Sequence, residues 1–258
     1  KLIILKNNLL EGLNAVEKAV GDNINLPILK NVFLKTENNK IILITTNLEI
    51  AINAVVSGKI IETGEATIPH NIFSNIVKNI SAERVTIETK NRQFLITTDN
   101  YEAIIQGQDP KEFPIIPAIQ NNKIFIKINI RVFQEALAKV IVSAQYSDIR
   151  PEISGILFRY SNQKLTLVAT DSFRLTEKQL NLEQTQTNLE EIAVIIPLKT
   201  ANELLRVLRV EEEEVTLFFD PNQVLFKTTS LEIISHLIDG HFPEYQAIIP
   251  KQIQNEIQ

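Results

Sequence analysis

The 258-residue chain contains no Cys, Met or Trp, and only seven Gly and three His. Each scarcity removes a class of function. Without cysteine there is no disulfide framework, thiolate metal site or cysteine nucleophile. His70, His236 and His241 are too few and too scattered to build a metal cage. The glycines stand singly, so neither a dinucleotide fingerprint nor a phosphate loop can be assembled. Apolar runs such as Ile192–Ile196 are about five residues long, against the ~20 of a membrane helix. Lys1–Leu5 leads straight into polar residues, unlike a secretory signal. A cytoplasmic protein with no metal, no cofactor and no membrane partner is therefore expected. With no methionine present, the initiator is expected to lie outside this numbering.

What the chain does have is 44% hydrophobic residues, enough for real cores and too many for a disordered chain. It also repeats itself. A shift of 124 lays Leu26-Pro27-Ile28-Leu29-Lys30-Asn31-Val32-Phe33-Leu34 over Arg150-Pro151-Glu152-Ile153-Ser154-Gly155-Ile156-Leu157-Phe158. The same shift sets Leu13 on Leu137, Val16 on Val140, Leu43 on Leu167 and Thr46 on Thr170. A shift of 128 aligns Pro69 with Pro197, and one of 129 aligns Phe113-Pro114 with Phe242-Pro243. The expected units are 1–120 and 121–250, divided near Pro117–Asn122, where Pro, Gln and Asn replace the strand pattern.

Within each unit, helical spacing over Leu9–Val20 is matched at Phe133–Val140, with Asn7 or Asn8 and Asn129 as N-caps. A second helix follows Pro69, and its twin follows Pro197. Alternating segments at Asn31–Thr36, Lys40–Thr45, Glu49–Val56, Arg84–Thr89, Gln93–Thr98 and Tyr101–Gln106 read as strands. The fold class is α+β, each unit having two helices on antiparallel sheet.

Catalytic chemistry leaves little trace. Asp171 and Glu177 could form a carboxylate pair, but nothing in the sequence sets their separation. Glu211–Glu214 falls at a helix-to-strand turn and reads as a solvated charge run. The net charge of −5 conceals an asymmetry: the four predicted helices sum to +4, leaving −9 elsewhere. Helices on one side of the sheets would make that side mildly basic, suited to backbone contact with DNA rather than base reading.

Ala169-Thr170-Asp171-Ser172-Phe173-Arg174-Leu175, Leu26-Pro27-Ile28-Leu29, Arg150-Pro151 and Gly240-His241-Phe242-Pro243-Glu244-Tyr245, followed by Ile249-Pro250-Lys251, closely resemble the bacterial DNA polymerase III beta subunit family, the sliding clamps. The likeness runs in order along essentially the whole chain. It implies repeated clamp domains, three per subunit, with two subunits closing head to tail around duplex DNA, helices inside and sheets outside. It also implies a non-catalytic processivity factor. On this resemblance Lys78, Lys139, Arg150, Lys199, Arg206 and Arg209 face DNA. Asn23 and Ser147 depart from the family, standing where relatives carry a basic or a longer polar residue. A peptide-binding pocket is implied at Ile153, Thr170, Ser172, Phe173, Arg174, Leu175, Pro243, Ala247 and Ile248. It would receive the polymerase III catalytic subunit, the clamp loader and other proteins bearing clamp-binding motifs. Phe173 replaces the histidine frequent in relatives and makes that wall more apolar.

Set against a three-domain family, 251–258 is expected to open a third unit, and the chain is not expected to close the homodimeric ring of the full-length protein. The Tyr101–Gln106 strand should then be left at an outer edge. Two other readings remain open from sequence: a two-domain trimeric clamp of archaeal or eukaryotic type, which suits the length, and a hydrolase using Asp171 and Arg174. A scaffold without DNA contact is a third.

Overall fold

A computed structural model describes residues 1–117, 119, 124–182 and 186–249. In the first unit the order is β1 (Leu2–Leu5), α1 (Lys6–Val16), β2 (Asn31–Glu37), β3 (Lys40–Thr46), β4 (Ile50–Val56), β5 (Gly58–Ile60), β6 (Glu65–Pro69), α2 (His70–Asn79), β7 (Arg84–Lys90), β8 (Gln93–Thr97) and β9 (Glu102–Gln106). The second unit runs β10 (Phe125–Asn129), α3 (Ile130–Ile141), β11 (Gly155–Ser161), β12 (Lys164–Thr170), β13 (Leu175–Asn181), β14 (Glu191–Pro197), α4 (Leu198–Val207), β15 (Glu214–Asp220), β16 (Gln223–Lys227) and β17 (Leu231–His236). Apart from β5, the second list repeats the first. The expected unit boundary between 120 and 121, and residues 251–258, lie outside the described residues.

The strands form three antiparallel sheets in the orders β5-β1-β7-β8-β9, β10-β15-β16-β17-β4-β3-β2-β6 and β13-β12-β11-β14. The middle sheet is continuous across the two units. β17 pairs with β4 in the register Leu231↔Ala54 to Ser235↔Ile50. Strand alternation then sorts the side chains into two faces. Val32, Leu34, Leu43, Ile52, Ala54, Leu231 and Ile233 point into the main core beneath the helices, where Phe73, Phe133, Leu137 and Leu204 also lie. Phe33, Ile44, Leu225 and Ile234 point the opposite way, into small outer clusters. Phe133 of α3 meets Phe158 at 5.8 Å and Phe226 at 6.2 Å, tying a helix to strands of two different sheets. Burying such a ring contributes about 1.5–3 kcal/mol.

Helix starts differ from expectation in one unit. Asn129 caps α3 by accepting the Val132 N–H at 3.2 Å. Its counterpart at α1 is Leu5, which has no side-chain cap; neither Asn7 nor Asn8 fills the role, because α1 begins at Lys6 directly from β1. Lys6 instead donates to the Lys78 and Ile80 carbonyls at 3.1 and 2.5 Å, fastening the start of α1 to the end of α2. Periodicity over Leu9–Val20 is split between α1 and a 3-10 turn, Glu17–Ala19. Pro69 and Pro197 each close a strand and stand as the N-cap of the next helix, with φ of −53° and −55°. The strands β1, β5 and β6 were not in the expected set; β5 is only three residues long and β1 four, too short for a clear alternation.

The seam between units is polar on its helix side. Arg209 pairs with Glu11 of α1, and Lys199 of α4 reaches Glu49 at 3.5 Å. Glu212 is not the solvated charge that its run suggested: one carboxylate oxygen accepts the Ser230 N–H at 2.9 Å, where β17 begins.

Candidate peptide and DNA surfaces

The turn between β12 and β13 is built by Thr170 and Asp171. Thr170 Oγ1 donates to the Arg174 carbonyl at 2.8 Å and accepts the Ser172 N–H at 3.1 Å. Asp171 accepts the N–H groups of Phe173 and Arg174 at 3.0 and 2.9 Å, and Arg174 Nε donates to its other oxygen at 3.0 Å. These bonds, the backbone ones foremost, hold the Asp171 carboxyl below its ordinary pKa. Three hydrogen bonds engage most of its acceptor capacity in the turn, and the lowered pKa makes it a weak base. Ser172 sits in the left-handed region at φ 75°, and the chain reversal pushes Phe173 outward, 96% exposed.

The segment after β17 crosses the outer face of the β11–β13 sheet. Phe242 and Tyr245 pack edge to face at 6.3 Å and join Leu157, Val168 and Leu175 in one outer cluster. Tyr245 Oη donates to Glu177 at 2.6 Å; burial first, and that carboxylate second, push its pKa up to about 12. Thus Leu175 meets the 242–245 segment, while Ser172, Phe173, Arg174, Ala247 and Ile248 are exposed around it and Pro243 is half-buried. Thr170 and Ile153 are buried and act from beneath. Arg150 joins the loops by donating to Ser172 Oγ at 3.1 Å and to Glu152 at 3.3 Å. The pocket implied by resemblance did not include Leu157, Val168, Phe242 or Tyr245, and Glu177, considered from sequence only as a carboxylate partner of Asp171, is instead the acceptor of the Tyr245 hydroxyl. Tyr245 and Phe242 belonged to a quoted motif, but nothing in the sequence told that they would form the floor.

Of the six cations implied for DNA, Lys78, Lys139, Lys199 and Arg206 are exposed on α2, α3 and α4, Arg209 is half-buried just after α4, and Arg150 is exposed beside the Thr170–Arg174 turn rather than on a helix. Four of these six cations have carboxylate partners: Arg150 with Glu152, Lys199 with Glu49, Arg206 with Glu203, and Arg209 with Glu11. Lys78 and Lys139 make no ion pair among the described residues. The surface is basic but largely self-neutralised, suited to weak contact with phosphates. Among the described residues no helix is long and apolar enough to span a membrane.

Two sequence profiles match this chain: the DNA polymerase III beta subunit N-terminal domain over residues 1–117, and the central domain of the same subunit over 127–244. The beta sliding clamp of Staphylococcus epidermidis is 30% identical over 261 residues, covering 97% of this chain and 68% of that protein. The sliding clamp of Bacillus subtilis superposes with a TM-score of 0.91 at 26% identity, covering 97% of this chain and 68% of the other. The Helicobacter pylori beta clamp, solved with a DNA ligase peptide bound, shares the fold at TM-score 0.87 and 24% identity, covering 97% of this chain and 70% of its own.

Proposed function

Because the chain belongs to the bacterial DNA polymerase III beta subunit family, the sliding clamps, we propose that its helix face rides on duplex DNA while Thr170–Leu175 and Pro243–Ile248 on the outer face receive short peptides. Its function is that of a processivity clamp in bacterial DNA replication. The trimeric two-domain clamp and the hydrolase are not favoured by that membership, and Asp171 is committed to its turn.

The observation that carries the reading is the two-sided layering. Helices pack over the main core on one side of the sheets, including the one that runs unbroken from unit to unit, and the apolar cluster around Tyr245 lies on the other side, against the four-stranded sheet β13-β12-β11-β14. We take the units as 1–120 and 121–250. DNA contact rests on Lys78 and Lys139 with the paired Arg150, Lys199, Arg206 and Arg209. An apolar anchor of the peptide rests on Leu175, Phe173 and Ile248, with Arg174 and Ser172 at the rim. The occupants are the polymerase III catalytic subunit, the clamp loader and repair proteins, the DNA ligase peptide of the Helicobacter pylori clamp being one example of the type. In a dimeric ring, strand edges such as β9 and β13, each ending its sheet, repeat the pairing that β17 makes with β4. The protein acts by holding enzymes on DNA and carries no catalytic centre of its own.

Fluorescence anisotropy tests both faces. A labelled duplex should bind weakly and without sequence preference, and Lys78→Glu with Lys139→Glu should abolish that binding. A labelled ligase-type peptide should lose about 2 kcal/mol with Leu175→Ala, the value of a buried aliphatic contact. Unchanged binding of both probes in these variants would refute the assignment.

A further inference from the structure

The linker between the units leaves a second concavity on the outer face, at the seam of β4 and β17. It encloses about 600 Å³. A smaller one of about 290 Å³ continues along the seam and shares Lys35, Asn53, Lys227 and Glu232 with it. Cross-strand register fixes the floor: Phe33 faces Ile44, Ile44 faces Asn53, Asn53 faces Glu232, and Glu232 faces Lys227. The linker forms one wall, with Phe113 stacked on Phe33 at 5.2 Å. Leu225 and Ile234 of the second unit, covered by Ile119, form the other.

These are the parts of the 242–248 site in another copy. Phe33 and Ile44 correspond to Leu157 and Val168, and Phe113 corresponds to Phe242. The polar groups also describe an occupant. Asn53 Oδ1 is buried with no donor, so it calls for an N–H. Lys35 and Lys227 are matched by Glu37 and Glu232 at 2.6 and 2.8 Å, whereas Lys40 and Lys111 make no ion pair among the described residues, against Glu65 as an unmatched carboxylate. On a chain of net charge −5 this seam carries spare positive charge. Ile115 stands 93% exposed at the mouth.

We propose that the seam between β4 and β17 binds a short linear peptide with an apolar anchor flanked by carboxylates. The anchor lies against Phe33, Ile44 and Phe113, a peptide N–H donates to Asn53, and a carboxylate meets Lys111. The ligand class is taken from the peptide reading of the 242–248 site through the repeat, so the test separates the two sites.

The chain has no Trp, so the indole of a probe, acetyl-Glu-Leu-Trp-Glu-amide, reports its own binding. Titration into methyl-labelled protein should give a saturable blue shift and move the Ile44 and Ile234 methyls. Lys111→Glu with Ile115→Asp, both at the rim, should weaken binding read at the Ile44 and Ile234 methyls about tenfold, and Phe173→Asp, which acts at the other site, should leave those methyl shifts unchanged. The Gln-for-Glu version of the probe should bind more weakly. Methyl shifts confined to Leu157 and Leu175 would overturn the proposal while supporting the other site. No shift at Ile44 or Ile234 at saturating probe, or indifference to the double variant, would overturn it as well.

Discussion

Leu48 and Ser172, 124 positions apart, hold the same left-handed backbone, at φ 76° and 75°. Each is preceded by a threonine and an Asx residue that build the turn. Thr46 Oγ1 donates to the Ile50 carbonyl and accepts the Leu48 N–H, both at 3.0 Å, while Asn47 accepts the N–H groups of Glu49 and Ile50 at 3.0 and 2.9 Å. The segment quoted as a family motif, Thr170–Arg174, is thus a turn solution used twice. Its functional distinction lies in what it displays: Phe173 and Arg174 are both exposed in one copy, whereas in the other only Glu49 is exposed and Ile50 is buried in the core. Replacing either threonine by valine removes two hydrogen bonds from a buried side chain and should cost about 1–3 kcal/mol in urea unfolding. Only Thr170→Val should also weaken peptide binding at the 242–248 site. Equal peptide loss in Thr46→Val would mean that the effect is global.

Tyr245 supplies an alkaline marker for the outer cluster. Its folded-state pKa of about 12 lies above the ordinary 10.0, because of burial and then the Glu177 hydrogen bond. The neutral form is therefore favoured by folding. That stability is fully present below the ordinary tyrosine pKa and is lost as pH rises through about 12. Absorbance titration should show a late-titrating tyrosine that disappears in Tyr245→Phe, and the variant's stability should fall less steeply on the alkaline side. A titration curve identical to wild type would place another tyrosine in that role.

Much of this fold was legible because the repeat doubles every signal. Asn129, Pro69 and Pro197 mark helix starts by local chemistry, and alternation in Asn31–Glu37 and Lys40–Thr46 marks strands. The motif residues Thr170–Leu175 could be placed on one turn. Three things were not legible. The pairing of β17 with β4 depends on residues about 180 apart, which no local pattern encodes. The exposure of Phe173 follows from Ser172's left-handed backbone, which the residue type does not advertise. Partner choice among charges is also invisible: Arg209 and Lys199 read as free cations on their helices, yet the seam brings Glu11 and Glu49 to them.

His70, at the start of α2, is buried and its Nε2 lies 3.1 Å from the Leu13 carbonyl of α1, which requires the Nε2–H tautomer. Burial lowers its pKa from 6.5, with the Leu13 carbonyl and Glu17 opposing and Lys78 and Lys18 reinforcing. The unfolded chain then binds the proton more readily. Stability is present above about pH 6.5 and is lost as pH falls through the lower folded value. His70→Gln keeps an N–H donor and should flatten this acid limb between neutrality and pH 5, as read by thermal melts. An unchanged slope would assign the acid sensitivity elsewhere, with the Asp171 turn as the next group to lose its bonds at lower pH.

The paired cations of the helix face make a prediction opposite to ordinary charge mutagenesis. Lys199 is held at 3.5 Å by Glu49, whose side chain is 74% exposed, so Glu49→Gln frees a cation without disturbing the core. Each phosphate neutralised contributes about −0.9 to the slope of log affinity against log salt on duplex DNA. Glu49→Gln should tighten duplex binding at low salt and steepen that slope by roughly one contact. Lys78→Gln and Lys139→Gln should each make it shallower by the same amount. Tighter static contact also raises the barrier to translation, so Glu49→Gln should diffuse more slowly along DNA in single-molecule tracking. Faster diffusion together with tighter binding would break this link and place Lys199 away from the DNA path.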